Sequence, residues 1–419
     1  MLFRNGILLN VGLAAFAASQ QLLTDSGTAG PPLELVHVYY DEFPTGIAVS
    51  STGRLFSNYP PGLDANNTYN GTVPKYTVAE LTSNNTEKAY PSVEMNSPPG
   101  GAINYTTIPA TGANYPNYLI GVQSVVIDSK DRLWILDTGR AAMFNGTNVP
   151  ASYGGPKLIG VDLKNNSIFT TIVFNPNVAY PESYLNDVRF DLRPELTSSG
   201  QGVAYITDSS TEGRNGLITV DLGTGEAWRH LDSSPTTKAE QGFVPFVWGE
   251  ALYSNPNPAT TPITPQTIGS DGIALSADGA DLYWTLEAGR TLYSIPTARL
   301  RDHGPTSEIM AQASISNHGE KGNTDGMETD SNGLIYAGSM ESNAINIFHP
   351  SNGTVSVFVR DPRFSWTDTM SVSNDGYLYF TENQLWRAPM FQGGVDRRVK
   401  PFALFKVKLP GNGTKVSLM

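Results

Sequence analysis

The stretch Asp271-Gly-Ile-Ala-Leu-Ser-Ala-Asp-Gly-Ala-Asp-Leu-Tyr283 sets the fold. It opens on a polar residue and alternates apolar side chains at Ile273 and Leu275. It then turns on Asp278-Gly279 and returns through Leu282 to an aromatic. Alternation with period two flanking a Gly/Asp cluster predicts a β-hairpin. The same phrase recurs from Thr45 (TGIAVSSTGRLF), Gln123 (QSVVIDSKDRLW), Asp325 (DGMETDSNGLIY) and Asp368 (DTMSVSNDGYLY). A sixth copy opens at Asn186 (NDVRFD), with its returning half, GVAYITD, displaced to 202–208. Successive openings lie 78, 63, 85, 54 and 43 residues apart. The shortest interval matches one four-stranded propeller blade of roughly 40–45 residues, and the longer ones are a blade plus insertions. The expected architecture is all-β: a six-bladed β-propeller occupying residues 20–419 as one domain.

The ends of the chain supply the closure. Leu33–Tyr40 reads as a strand before the first repeat, and Ala403–Val407 as its partner. Pairing them in one blade closes the ring and removes both free edges. Between the repeats, 58–118 reads as an irregular insertion, Glu308–Ala313 as an outer strand of the fourth blade, and Thr297–Arg301 as one helical turn.

Composition narrows the function. Lys and Arg number 27 against 39 Asp and Glu, a net charge of −12, which excludes the basic footprint that nucleic acid or an anionic membrane surface requires. The chain has no cysteine, which removes disulfides, thiolate metal sites and cysteine nucleophiles. Residues 1–19 read as a secretory signal: Arg4, an apolar run from Ile7 to Ala15, and a small-x-small site at Ala15–Ala17. No apolar run is long enough to anchor the chain in a membrane. Eight Asn-x-Ser/Thr sites, at Asn66, Asn70, Asn84, Asn104, Asn145, Asn165, Asn352 and Asn412, fit a secreted, extracellular glycoprotein.

Several blocks carry a family resemblance: LWILDTGR (133–140), YLNDVRFD (184–191), AYITDSS (204–210), SDGIALSADGADLYW (270–284), LYSIPTARLRD (292–302), and TDGM (324–327) with SNGLIYAGSMESNAI (331–345). Together they resemble the major royal jelly protein/yellow family across nearly the whole chain, in a cysteine-free, microbial-type form. The resemblance implies a secreted six-bladed propeller. It also implies a small aromatic or amine-type ligand, or action on a pigment or secondary metabolite.

In a propeller the start of each innermost strand and the end of the next strand share one mouth of the channel. That mouth therefore gathers Gln123, Asn186, Asp271, Asp325 and Asp368 from the openings, and Asp137, Asp208, Glu287 and Glu382 from the returning strands, with Arg140 nearby. Three readings compete. Short Asp and Asn side chains cap backbone N–H groups at turns. Clustered oxygens suit Ca²⁺ or another divalent ion, for which Asn186, Asp271, Asp325 and Asp368 are the ligand candidates. A concave mouth with a few placed polar groups suits a small organic molecule, for which the ten residues named above are the candidates.

Two residues are candidates for catalysis. Asp271 sits in a crowd of acids that raises a carboxyl pKa, and His318 stands in a segment leading into a repeat. Resemblance to dopachrome-converting relatives implies a tautomerase or isomerase. Likeness to gluconolactonase-type propellers implies a metal-assisted lactone hydrolase. Trp366, Phe246 and Trp248 are expected to wall the pocket.

Overall fold

The computed structural model describes residues 27–64, 67, 76–143 and 147–419. Six four-stranded antiparallel sheets are arranged as blades of a propeller. Their innermost strands are Gly46–Val49, Val122–Ile127, Leu185–Asp191, Ser270–Leu275, Met327–Thr329 and Thr367–Val372, in blades 1 to 6 respectively. Each touches the next and the sixth touches the first, so the inner strands form a closed ring around a channel. Blade 6 is built from both ends of the chain: Leu33–Tyr39 pairs antiparallel with Phe402–Lys408, from Leu33 opposite Val407 to Tyr39 opposite Phe402.

The alternation in the sequence is what packs the blades. In blade 4, Ile273 and Leu275 on the inner strand and Leu282, Trp284 and Leu286 on the second are buried against Val203, Tyr205 and Leu217 of blade 3. Each such aliphatic side chain contributes roughly 1.5–3 kcal/mol through burial. Near the axis the strands come closer than a side chain permits. A Cβ on Gly272 would lie 2.1 Å from the Asp325 carbonyl oxygen, and one on Gly326 1.9 Å from that of Asp368. The glycines that follow Asp271 and Asp325 are therefore required by the approach of neighbouring blades.

Several expectations are corrected. Residues Ser307–Ala313 form a helix (α2, after α1 at Thr297–Arg301), not the outer strand of blade 4. The stretch is a run of helix-compatible residues with only one β-branched member, Ile309. The outer strand is Ser316–Glu320. The insertion after blade 1's first hairpin is also less irregular than its composition suggested, because Val78–Leu81 and Glu87–Ala89 complete that blade. Asn84, Asn165, Asn352 and Asn412 are exposed and Asn104 is partly so. Asn66, Asn70, Asn145 and the signal segment 1–19 lie outside the described residues. No helix among the described residues is long and apolar enough to cross a membrane.

Candidate functional site

The pairing of the first two strands slips at the same place in four blades. The slips fall at Gln123, at Asn186-Asp187, at Asp271-Gly272 and at Asp368-Thr369. Such bulges re-aim side chains. Here they bring Gln123, Asn186, Asp271 and Asp368 to the channel mouth, where Asp325 joins them from just before the inner strand of blade 5. The resulting pocket encloses about 680 Å³, its open mouth included. Its polar lining also includes Thr45, Arg140, Tyr184, Ser209 and Glu287, and its apolar wall is Leu63, Ile268, Trp366, Leu385, Met390 and Phe391.

The acids form a connected set. Asn186 Nδ2 donates to Asp271 Oδ2 at 2.6 Å and to Ser209 Oγ at 2.9 Å. Asp271 and Asp325 face each other across the floor. Burial, then the charge of Asp325, hold Asp271 well above the usual carboxylate range. Burial also raises Asp325, against the hydrogen bonds from Asp271 and from Trp366 Nε1 at 2.7 Å. Asp368 is raised well above its ordinary value by burial and by Asp325, although Asn383 Nδ2 donates to it at 2.7 Å. The Tyr184 hydroxyl donates to Gln123 Oε1 at 3.0 Å. Arg140 lines the wall, but its guanidinium is taken by Glu212 at 2.7 Å and by the Val149 and Glu182 carbonyls.

Glu287 differs from the rest. It is 2% exposed, it lines the pocket, and neither carboxyl oxygen has a hydrogen-bond partner. Burial first, and Asp325 second, push its pKa up to about 8.

Three residues expected at the mouth are elsewhere. Asp137 accepts from the Ile120 and Gly121 amides at 2.8 and 2.9 Å and pairs with buried Lys157 at 2.9 Å. Asp208 accepts from the Tyr184 amide and Ser183 Oγ, and pairs with Arg229 at 2.8 Å. Glu382 accepts from the Ser365 and Trp366 amides and from Thr367 Oγ1. Asp208 and Glu382 end their blades' second strands and Asp137 is next to last in its own, and each satisfies backbone donors leading into the first strand. They serve the capping reading, not the pocket. His318 also leaves the mouth: it lies on the outer strand of blade 4, bonded to Ser294 Oγ at 2.8 Å and packed against Tyr283 and Phe348. Trp366 walls the pocket, whereas Phe246 and Trp248 sit exposed on a neighbouring hairpin. Sequence reasoning missed Ser209, Ile268, Leu385, Met390 and Phe391. Of these only Ser209 carried a signal, as the residue following the end of a repeat.

The metal reading fits poorly. Among the described residues no three His, Asp or Glu side chains are grouped to hold a metal ion. The oxygens of Asp271, Asp325 and Asp368 are instead engaged with Asn186, Trp366, Asn383 and one another.

The channel is closed below the acids. Arg189 of blade 3 reaches across it to the Met327 carbonyl of blade 5 at 2.5 Å, pairs with Asp187 at 2.9 Å and lies 3.5 Å from Glu328. The chain's last residues cover the far mouth. Lys415 bridges to Asp330, the Leu418 amide donates to Ser129 Oγ at 3.1 Å, and the Leu418 carbonyl accepts from Leu192. Lys415 is partly buried beside Glu328 and Asp128, and burial lowers its pKa to about 8.

These features define a class: a six-bladed propeller with one blind, acid-floored, apolar-walled mouth. Residues 120–406 match the family model for the major royal jelly protein, and the chain belongs to that family. A comparison with curated proteins yields no match. Among solved structures the chain is similar to a luciferin-regenerating enzyme (11% identity, TM-score 0.49, covering 92% of this chain and 97% of that one). It is also similar to a gluconolactonase from Xanthomonas campestris (12%, 0.44, 93% and 99%) and to the calcium-binding protein regucalcin from Agrobacterium tumefaciens (12%, 0.49, 91% and 95%).

Proposed function

We propose that this chain is a secreted, glycosylated propeller that binds a small organic molecule with an aromatic or apolar body and an amine or other donor group at the channel mouth. One observation carries the reading: a blind pocket whose floor is three buried aspartates and whose wall is Trp366, Phe391, Leu385 and Met390. Such a pocket buries an apolar body and offers acceptors to its polar end. Among the described residues the one basic side chain in the lining, Arg140, is already paired. The signal-like residues 1–19 and the exposed sequons support secretion. The test is thermal unfolding with a panel of aromatic amines and alcohols. A ligand at 100 times its Kd stabilises by about 2.7 kcal/mol, so a member that fits raises Tm by several degrees. No shift with any member at millimolar concentration overturns the reading.

A second reading is favoured by the Asp271–Asp325 pair. Two facing carboxyls, Asp271 raised well above the usual carboxylate range and Asp325 raised as well, can hold an acid and a base side by side, which suits a tautomerase or isomerase. The check is exchange of the α-hydrogen of an enolisable aromatic ketone in heavy water, followed by NMR. Exchange that is lost in Asp271→Asn supports this reading, and no exchange above the buffer rate removes it.

A further inference from the structure

One position repeats around the mouth. In blades 3, 4 and 6 the residue just after the second strand is Ser209, Glu287 and Asn383, and blade 2 matches it with Thr138, the last residue of its second strand. The four are equivalent in register, because the amide of each donates to a carbonyl just before the inner strand: Gly121, Tyr184, Gly269 and Trp366. In three blades the side chain is neutral and engaged. Thr138 donates to the Gly121 carbonyl at 2.8 Å, Ser209 accepts from Asn186, and Asn383 donates to Asp368. Blade 4 alone places an acid there, and gives it no partner.

The strand-end position one residue earlier makes the substitution sharper. In blades 2, 3 and 6 it holds the capping acids Asp137, Asp208 and Glu382, whereas blade 4 has Leu286. The acid of blade 4 stands one residue later, and a one-residue step in a strand-like segment sends the side chain to the other face. A carboxyl that satisfied backbone amides in three blades faces the pocket in the fourth. Leaving a buried carboxyl without a donor is unfavourable, so the folded protein alone gives no reason for it.

We infer that Glu287 reads the ligand: it accepts the cationic nitrogen of a primary amine and gives up its own proton to solvent as the amine docks. This rests on the small-molecule reading above. The step balances simply. The carboxylic acid meets the ammonium ion, the O–H bond breaks, the proton leaves to buffer, and a carboxylate–ammonium pair remains. The charged neighbours favour this exchange. Asp325, Asp271 and Asp368 face the same space, while Arg290 pairs with Glu341 and the Lys321 ammonium donates to the Gly322 carbonyl at 3.2 Å. With its pKa near 8, Glu287 holds its proton in the empty pocket at pH 7.

The experiment is titration calorimetry with 2-phenylethylamine and, as the uncharged comparison, 2-phenylethanol, each at pH 7 in phosphate and in Tris. The amine is expected to bind more tightly and to release about one proton, seen as a buffer-dependent heat. Its Kd is expected to rise about tenfold from pH 7 to pH 6. In Glu287→Gln the release disappears and amine affinity falls at least tenfold, while alcohol binding stays as in the parent. Amine binding without proton release in the parent overturns the inference, and that result needs no variant. So does release that persists in a folded Glu287→Gln, or equal affinity for amine and alcohol. If neither compound binds, the pocket reading falls and this inference falls with it.

Discussion

The two mouths of the channel are made from the same inner strands, yet they treat charge in opposite ways. At the far mouth most charges have an opposite neighbour: Arg189 with Asp187 and Glu328, partly buried Lys415 near Glu328 and Asp128, and Asp128 with Arg132, while Asp330 accepts from the Tyr336 hydroxyl and backbone amides. At the near mouth four carboxyls share one space with no free cation among the described residues: neutral donors hold Asp271, Asp325 and Asp368, and Glu287 has none. Buried charge that is balanced closes a structure. Buried charge of one sign costs stability until something arrives to neutralise it. The difference marks the near mouth as the working end and the far mouth as a seal, although a propeller's symmetry alone does not distinguish them.

The contrast predicts that removing a charge has opposite signs at the two ends. Arg189→Met strands Asp187 and Glu328 and should destabilise by about 3–5 kcal/mol, measured by denaturant unfolding. A loss below about 1 kcal/mol would mean the far mouth is not sealed by charge pairing. Leu418→Ala tests the apolar part of the same seal. Leu418 is buried in the cluster that holds Leu275 and Leu282, so the expected cost is about 2–3 kcal/mol by the same measurement. At the near mouth Glu287→Gln should stabilise instead. The folded pKa of Glu287 is raised, so the folded state holds a proton the unfolded chain has lost, and parent stability falls as pH rises from about 4.5 to about 8. The variant lacks this slope and should gain about 1.4 kcal/mol on the parent for each pH unit in that window. Melting curves at pH 5 and pH 8 decide it, and a constant gap removes the cost assigned to Glu287. The smallest effect expected is from chelator. Among the described residues no three acids are grouped to hold a cation, so EDTA should leave Tm unchanged, and a fall of several degrees would restore the metal reading.

Much of the fold was legible because a propeller writes its core in period two. Ile273, Leu275, Leu282 and Trp284 alternate in the sequence as they do in the blade, and the Asp-Gly openings marked where strands crowd the axis. Blade 1's outer strands were hidden because Val78–Leu81 and Glu87–Ala89 are short and set among turn residues. The mouth was legible in part. Asn186, Asp271, Asp325 and Asp368 open the repeats and do line the pocket. Asp137, Asp208 and Glu382 were grouped with Glu287 because all are acids at the end of a returning strand. Only the strand register separates them, by one residue, into those that cap backbone and the one that faces the pocket. Of the apolar wall Trp366 was legible, but Leu385, Met390 and Phe391 were not, since they come from a connection between strands that follows no repeat.

The closure of blade 6 has a consequence for how the molecule is made. Leu33 pairs with Val407, so a strand that precedes blade 1 waits for one that follows all six inner strands before it is paired. Until then Leu33–Tyr39 is an unpaired edge, open to the wrong partner. Contacts this distant in sequence are slow to form, because the intervening chain must be ordered before they repay the loop entropy. The pairing that closes the ring thus makes its assembly depend on a segment far along the chain, and deleting Phe402–Lys408 would leave an open, association-prone string of blades.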